Sequence, residues 1–512
     1  MMWKKRNRKK DAISNFVSKF TTQDTPISTK TKKNFEILST AYLANNDDLI
    51  LLSINQQFGA AYIETIVNDK KIKQILDYLR KTSSNQGQDQ LEHLPFHHSK
   101  ETRFENIVQA LTRGSCVLFI NHQKEAIVID IQDIKERALE EPAAEATIKG
   151  PREGFNENFK TNISLIRKRI FNHHLKVEKR KIGTVSQTDV VMLYLDGVAS
   201  EEIVSEVKKR LSRIEVDAVQ SSNQIQSFIK DHSYAIVPLV GSSERPDKIA
   251  ANIMEGKIAI IVDGTPFVLY GPISMFSLLQ APDDYYDSMY IATLLRMVRF
   301  GALFASLLLP SLYIALTTFH QEMIPTALAL SIAAGREAVP FPALIETLFI
   351  EIIFEFLREA GLRLPKAIGN TISIVGALVI GDAAVRAGFV SPFVIIIVSI
   401  TAISSFIIPN YSLGVSFRIL RFAFIFLAAT FGFFGMVWGL LVLYLYLTSL
   451  RSFGYPYLAP HAPLFPKGLK DTIFRFPLFQ QARYPKFTVD QPSLKRFPAK
   501  PNPGKKNREK DD

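Results

Sequence analysis

The chain is poor in cysteine: Cys116 is the only one among 512 residues. A single thiol excludes an internal disulfide framework and any cysteine-ligated zinc or iron–sulfur site. Charge is scarce in one long stretch. Residues 300–450 hold 7 Lys/Arg and 7 Asp/Glu, against 41 and 37 over residues 1–299. That division excludes both a uniformly soluble enzyme and a transporter wholly embedded in lipid. Familiar chemical signatures are missing too. There is no G-x-x-x-x-G-K-[ST] loop, no G-x-G-x-x-G and no G-x-S-x-G, so neither a phosphate cradle nor a nucleophile elbow has a candidate. The nine histidines lack metal-ligand spacing, and the adjacent pairs His97-His98 and His173-His174 are expected to point in different directions. The reading is a non-enzyme with no cofactor and no metal. Residues 1–20 carry a basic head without the apolar run of a secretory signal, so the N-terminus is expected to stay in the cytoplasm.

What is present is a basic chain with its charge at the ends. The net charge is +12, six basic side chains fall in residues 1–10 with no acid, and residues 451–512 carry 13 basic and 5 acidic ones. Such tails suit anionic lipid or nucleic acid; apolar spans beside one of them favour lipid, and nucleic acid is not expected. At roughly 150 residues per domain the length suggests about three folding units. The fold class is an α/β (mixed) soluble N-terminal region in two subdomains, followed by an α-helical multi-pass membrane domain. In order, these are a basic N-terminal tail (1–33), the start of a first soluble subdomain (34–82), a polar linker (83–102), an α/β soluble region (103–295), a membrane domain (296–450) and a basic cytoplasmic tail (451–512). Within the soluble part, SCVLFIN (115–121) and EAIVIDI (125–131) read as a hairpin, 199–213 as an amphipathic helix, and Asp263-Gly264 as a turn between strands.

A spanning helix needs about 20 mostly apolar residues. Residues 300–319, 371–390, 393–408 and 422–448 meet or approach that length, the last as one tilted helix or, as the weaker option, a tight hairpin. Four crossings place both basic ends on the cytoplasmic side but leave Arg418 and Arg421 outside, against the positive-inside tendency. Residues 325–366 are expected to form an interfacial or re-entrant segment. Within it Glu351, Glu355 and Glu359 recur every fourth residue and share one helix face. That face, and Asp382 beside the small pair Ala377 and Gly381, are candidates for an ion path, because acids at membrane depth need water or a partner. The plainer alternatives are an interfacial acidic stripe and a local pair between Asp382 and Arg386. Arg152, Glu153, Arg336 and Glu337 are candidates for contacts between subdomains or subunits, or for local turns and salt bridges. The basic run Arg167-Lys168-Arg169 reads as a solvated helix face.

Four segments together resemble the A subunits of GerA-type spore germination receptors. They are KGPREGFNENFKTNISLIRKRI (149–170), HQEMIPTALALSIAAGREAVPFPALIE (320–346), LPKAIGNTISIVGALVIGDAAV (364–385) and LRSFGYPYLAPHAP (450–463). They occur in the family's order and span most of the chain. The resemblance implies a subunit of a nutrient-germinant receptor in the spore inner membrane, which puts the two cytoplasmic ends expected from the span count on the core side. It implies as partners a transporter-like B subunit that binds the germinant, a C subunit that is a lipoprotein, further copies of the chain, and membrane lipid. It also implies that the A subunits oligomerise into a ligand-gated ion channel. The competing expectation is a membrane-anchored scaffold that assembles germination proteins without conducting ions.

Overall fold

The computed structural model describes residues 25–55, 57–81, 96–132, 141–142, 145, 147, 149–363, 381–466 and 468–477. Residues 1–24 of the expected N-terminal tail (1–33), residues 478–512 of the expected C-terminal tail (451–512), most of the polar linker, and residues 371–380 of the expected span 371–390, Ala377 among them, lie outside these residues.

Two five-stranded antiparallel sheets form the N-terminal half. The first comprises β1 (Leu49–Ser53), β2 (Phe58–Ile63), β3 (His98–Glu101), β4 (Ser115–Ile120) and β5 (Ala126–Asp130), ordered β1-β2-β4-β5-β3. Alternating side chains divide between its faces. Val117 and Phe119 pack with helices α1 (Thr31–Ile37) and α3 (Phe104–Thr112), while Cys116 and Leu118 pack with α2 (Asp69–Lys81). The second sheet comprises β6 (Leu175–Ile182), β7 (Thr188–Leu195), β8 (Gly241–Ser243), β9 (Ile258–Val262) and β10 (Val268–Gly271), ordered β6-β7-β9-β10-β8. Helices α4 (Phe159–Arg167) and α7 (Pro246–Met254) cover one face, and α5 (Glu201–Ser212) and α6 (Ser222–Ile229) the other.

The second subdomain repeats the first. The pairs Leu118↔Ile127 and Glu101↔Ala126 recur, 142 residues further along, as Ile260↔Leu269 and Ser243↔Val268. The turns that leave α3 and α7 both close on a glycine at positive φ, Gly114 and Gly256. Asn34 clamps the backbone of Ser28 with two 2.8 Å bonds, and Asn162 does the same to Asn156 at 2.9 and 2.7 Å. Ile27 N donates to Thr102 O in one unit as Phe155 N donates to Glu244 O in the other.

This pairing moves the boundary between subdomains. The sequence places it in the polar linker, but β3 lies inside that stretch and completes the first sheet, so the division falls after Gln132. β3 is an edge strand of four residues, His-Ser-Lys-Glu, with no apolar alternation to betray it.

The helical half comprises α8 (Met289–Thr318), α9 (Thr326–Arg336), α10 (Ala343–Arg363), α11 (Pro392–Ile407) and α12 (Tyr411–Ser449). Two of these, α8 and α12, are long and apolar enough to cross a bilayer, and α11 is a shorter apolar helix. The core of the second subdomain continues into α8 and α12 without a break. Ile249 and Ile261 belong to the same buried cluster as Leu303, Leu307, Phe417, Phe424 and Leu447.

α12 is not one straight rod, contrary to the favoured sequence reading of 422–448. Gly432 adopts φ 57° and ψ −139°, a backbone reserved for glycine. A methyl group placed on Gly439 would lie 3.0 Å from Phe424 Cε1, whereas fifteen residues of straight helix would separate them by about 22 Å. Ser416 and Tyr446 both hydrogen bond to Ile236. The chain therefore reverses at Gly432, and 411–431 and 433–449 lie antiparallel. Charge and hydropathy leave no mark of the turn, since glycine is common in apolar helices.

Candidate functional site

The site is built around the end of the helix bundle that rests on the second subdomain, the proximal end. α8 starts there and runs to the distal end, where His320 packs edge-on against Phe433 at 4.8 Å beside Gly432. α10 and α11 run the other way. Glu346 meets Ser391 N distally, and Arg358 Nη2 meets Ser405 Oγ at 2.9 Å proximally. Arg363 thus ends proximally, whereas Phe389 stacks on Phe341 and Phe349 at the distal end.

α10 stands inside this bundle rather than along an interface, and its acidic face turns inward. Glu351 Oε2 accepts from Arg421 Nη1 at 2.5 Å, with side-chain exposures of 0% and 2%. One turn on, Glu355 accepts from Arg418 at 2.9 Å and lies 3.8 Å from Arg358. The acids are four residues apart on α10 and the arginines three apart on α12, as antiparallel neighbours require. Arg421 Nε also donates to Ser306 O on α8 at 2.7 Å, so this guanidinium ties three helices together. Glu359 has left the interior; it pairs with Arg363 at 2.6 Å in the open.

The other sequence candidates fall elsewhere. Asp382 and Arg386 pair at 2.9 Å with exposures of 57% and 79%. Arg336 Nε lies 3.6 Å from the enclosed Glu346 carboxylate, and Glu337 is exposed at the end of α9. Arg152 pairs with Glu141 at the surface. Glu153 sits within the second subdomain between Lys168 (3.2 Å) and Arg169 (2.7 Å). Burial alone would raise its pKa, but the hydrogen bonds from Arg169 and Lys168 outweigh that and hold it low.

Sequence reading missed the groups that join the parts. Arg167, read as a solvated cation, is buried and bidentate to Asp48 of the first subdomain at 2.9 and 2.8 Å, with Asn46 at 3.2 Å. Asp47 N donates to Val177 O beside it, joining the two subdomains through backbone. The neighbouring His173 ring is held down to about 4, by burial first and then by the His174 and Lys176 charges.

A second junction binds the chain beyond α12 to the second subdomain. Ser452 Oγ donates to Leu239 O (2.6 Å) and accepts from Ile273 N (3.0 Å). The Asp231 carboxylate takes Arg210 at 2.9 Å and the backbone N–H groups of Phe453 and Gly454. At the base of α8, Asp284 accepts from Arg296 (2.9 Å) and Arg299 (2.7 Å), and Asp471 accepts from Arg296 (2.8 Å) and Tyr285 (2.8 Å). Burial raises the Asp471 carboxyl against the pull of Arg296. These contacts can transmit displacement of the second subdomain to α8 and to both halves of α12. Among the described residues no three His, Cys, Asp or Glu side chains converge to hold a metal.

The profile of the Bacillus/Clostridium GerA spore germination proteins matches residues 36–487. The chain is 43% identical over 456 residues to spore germination protein KA of Bacillus subtilis, covering 86% of this chain and 84% of that one. It is 42% identical over 473 residues to the B. subtilis uncharacterized membrane protein YfkQ, covering 90% and 92%. The crystal structure of the N-terminal domain of the A subunit of the Bacillus megaterium spore germinant receptor GerK3 matches with 26% identity and a TM-score of 0.37, over 49% of this chain and 98% of that one.

Proposed function

Because the chain belongs to the GerA spore germination protein family, we propose that it is the A subunit of a nutrient-germinant receptor, a non-enzymatic, multi-pass protein of the spore inner membrane. One observation carries the proposal. The apolar core of the second subdomain runs unbroken into α8 and α12, Ser416 and Tyr446 pin it to both halves of the reversed helix, and Ser452 pins it to the segment just beyond. A soluble sensor-coupling unit built onto a bundle in this way can move helices when a partner moves it.

In this reading α8, α10, α11, the two halves of α12 and the span expected from sequence at 371–390 cross the bilayer, six crossings in all. The segment after Leu450 returns to the side of the soluble subdomains, which is the core side. Arg418 and Arg421 then lie toward that side, in keeping with the positive-inside tendency that a four-span count offends. A transporter-like B subunit and a lipoprotein C subunit are the partners, and copies of this chain oligomerise to form a cation path.

The paired state of Glu351 and Glu355 makes them gating or architectural groups, since an acid neutralised inside its own protomer attracts few passing cations. Asp382, with its exposed carboxylate, remains the acid to test in the path. The same pairing favours the second reading, a scaffold that conducts nothing. Co-reconstitution of the three subunits in potassium-loaded liposomes separates them: germinant-dependent potassium release is expected, slowed by Asp382→Asn at equal protein level. No release in the presence of germinant leaves only the scaffold.

A further inference from the structure

Resting on the membrane reading just given, the loop between α6 and β8 carries a second point of contact with the bilayer. Tyr234 is 98% exposed, and Ile236, two residues on in the same loop, is about half exposed. A lone exposed aromatic in water would need no explanation. This one has a fixed depth. Ile236 O accepts from Ser416 Oγ at 2.7 Å, and Ile236 N donates to Tyr446 Oη at 3.0 Å.

Those bonds seat the loop alongside the apolar helices, not above them. At 1.5 Å per residue, Ser416 lies about 7.5 Å past the start of α12. Tyr446 lies about 5 Å before its end. A third tie fixes the level against α8. Arg421 Nε binds Ser306 O, so five residues back on each parallel helix sets Ser416 level with Gly301. Gly301 follows Arg299, the last charge before the apolar run of α8. The loop is therefore level with the edge of the hydrocarbon, within a headgroup layer roughly 5–7 Å deep. Asp231, the acid of this loop, is neutralised by Arg210 and by two backbone N–H groups, so it does not repel an anionic surface.

We propose that Tyr234 inserts into the phospholipid headgroup layer of the same bilayer that the helices cross. A phenol matches that layer, its ring on the acyl boundary and its hydroxyl among polar groups. The second subdomain would then rest on lipid at a point separate from the bundle, and its rocking would be resisted by the membrane surface.

The chain supplies its own control, because Trp438 on the second half of α12 is half exposed on the bundle. Two single-tryptophan proteins are made in full-length chain lacking Trp3. One keeps Trp438; the other carries Trp438→Phe and Tyr234→Trp. Each is reconstituted in phosphatidylcholine vesicles brominated near the headgroup end of the acyl chain, and in unbrominated vesicles. The proposal expects the tryptophan at 234 to emit to the blue of an exposed indole and to lose emission to the shallow bromines. Loss at 438 with none at 234 overturns the proposal and leaves the membrane reading standing. Loss at neither overturns both. A blue shift at 234 without bromine quenching assigns the loop to protein contact and also overturns the proposal.

Discussion

Arg421 and Glu351 meet at 2.5 Å with neither side chain reaching solvent. Breaking a buried pair from one side leaves an uncompensated charge and costs about 3–5 kcal/mol, whereas replacing both partners by apolar groups is often neutral. Glu351→Leu and Arg421→Met should each lower the melting temperature of detergent-solubilised protein sharply. The double variant should recover most of the loss. Additive losses in the double variant would mean the two groups are stabilised separately.

The junction of the two subdomains rests on a similar contact. Asp48→Asn removes the charge that Arg167 binds while keeping the side chain's shape, and about 3 kcal/mol of stability should go with it. The first subdomain should become the earlier site of proteolytic cleavage in the intact chain. Arg167→Lys should not substitute, because an ammonium cannot reproduce the bidentate geometry.

Gly432 permits the reversal of α12. An added methyl group would lie 2.9 Å from His320 Cε1 and would force a non-glycine residue into φ 57°, ψ −139°. Gly432→Ala should cost on the order of 1–3 kcal/mol from backbone strain alone. Gly301→Ala, where a methyl group meets nothing within 4 Å, is the matched control and should be silent. Melting curves of the two proteins in detergent decide it.

His173 gives the soluble half a pH dependence. Its folded ring is held down to about 4 from an ordinary 6.5, so it binds a proton less tightly than the unfolded chain does. Stability is therefore full above about pH 6.5 and declines as pH falls towards 4. Discounted for partial exposure, the loss is about 1 kcal/mol. That corresponds to roughly 2–4 °C in a domain of this size. His173→Gln should flatten this part of the profile, read as melting temperature against pH.

How much of this was legible in sequence depended on whether a feature is local. The hairpin of 115–121 and 125–131, the amphipathic helix within 199–213 and the turn at Asp263-Gly264 are written in neighbouring residues and were read there. The repeat of the first subdomain in the second was not, because matched backbone bonds such as those of Asn34 and Asn162 leave little trace in residue identity. Arg418 and Arg421 looked like a fault in the topology because their partners lie more than sixty residues away on α10. The same non-locality hid Arg167: beside Lys168 and Arg169 it reads as one more surface cation, and only Asp48 across the subdomain junction shows otherwise. Of the acidic face, the period placed Glu351, Glu355 and Glu359 together, but only depth in the bundle distinguishes the enclosed first from the exposed last.

The central claim is that the bundle crosses a bilayer with the Gly432 reversal on the side opposite the soluble half. In a Cys116→Ser background, Met323→Cys at the exposed distal end and Leu464→Cys on the exposed segment after α12 each supply one thiol. Both are offered to a membrane-impermeant maleimide in sealed vesicles of known orientation. The account expects the two thiols to react from opposite sides, with Leu464→Cys on the same side as the soluble subdomains. Labelling of both from one side, without lysis, would contradict it.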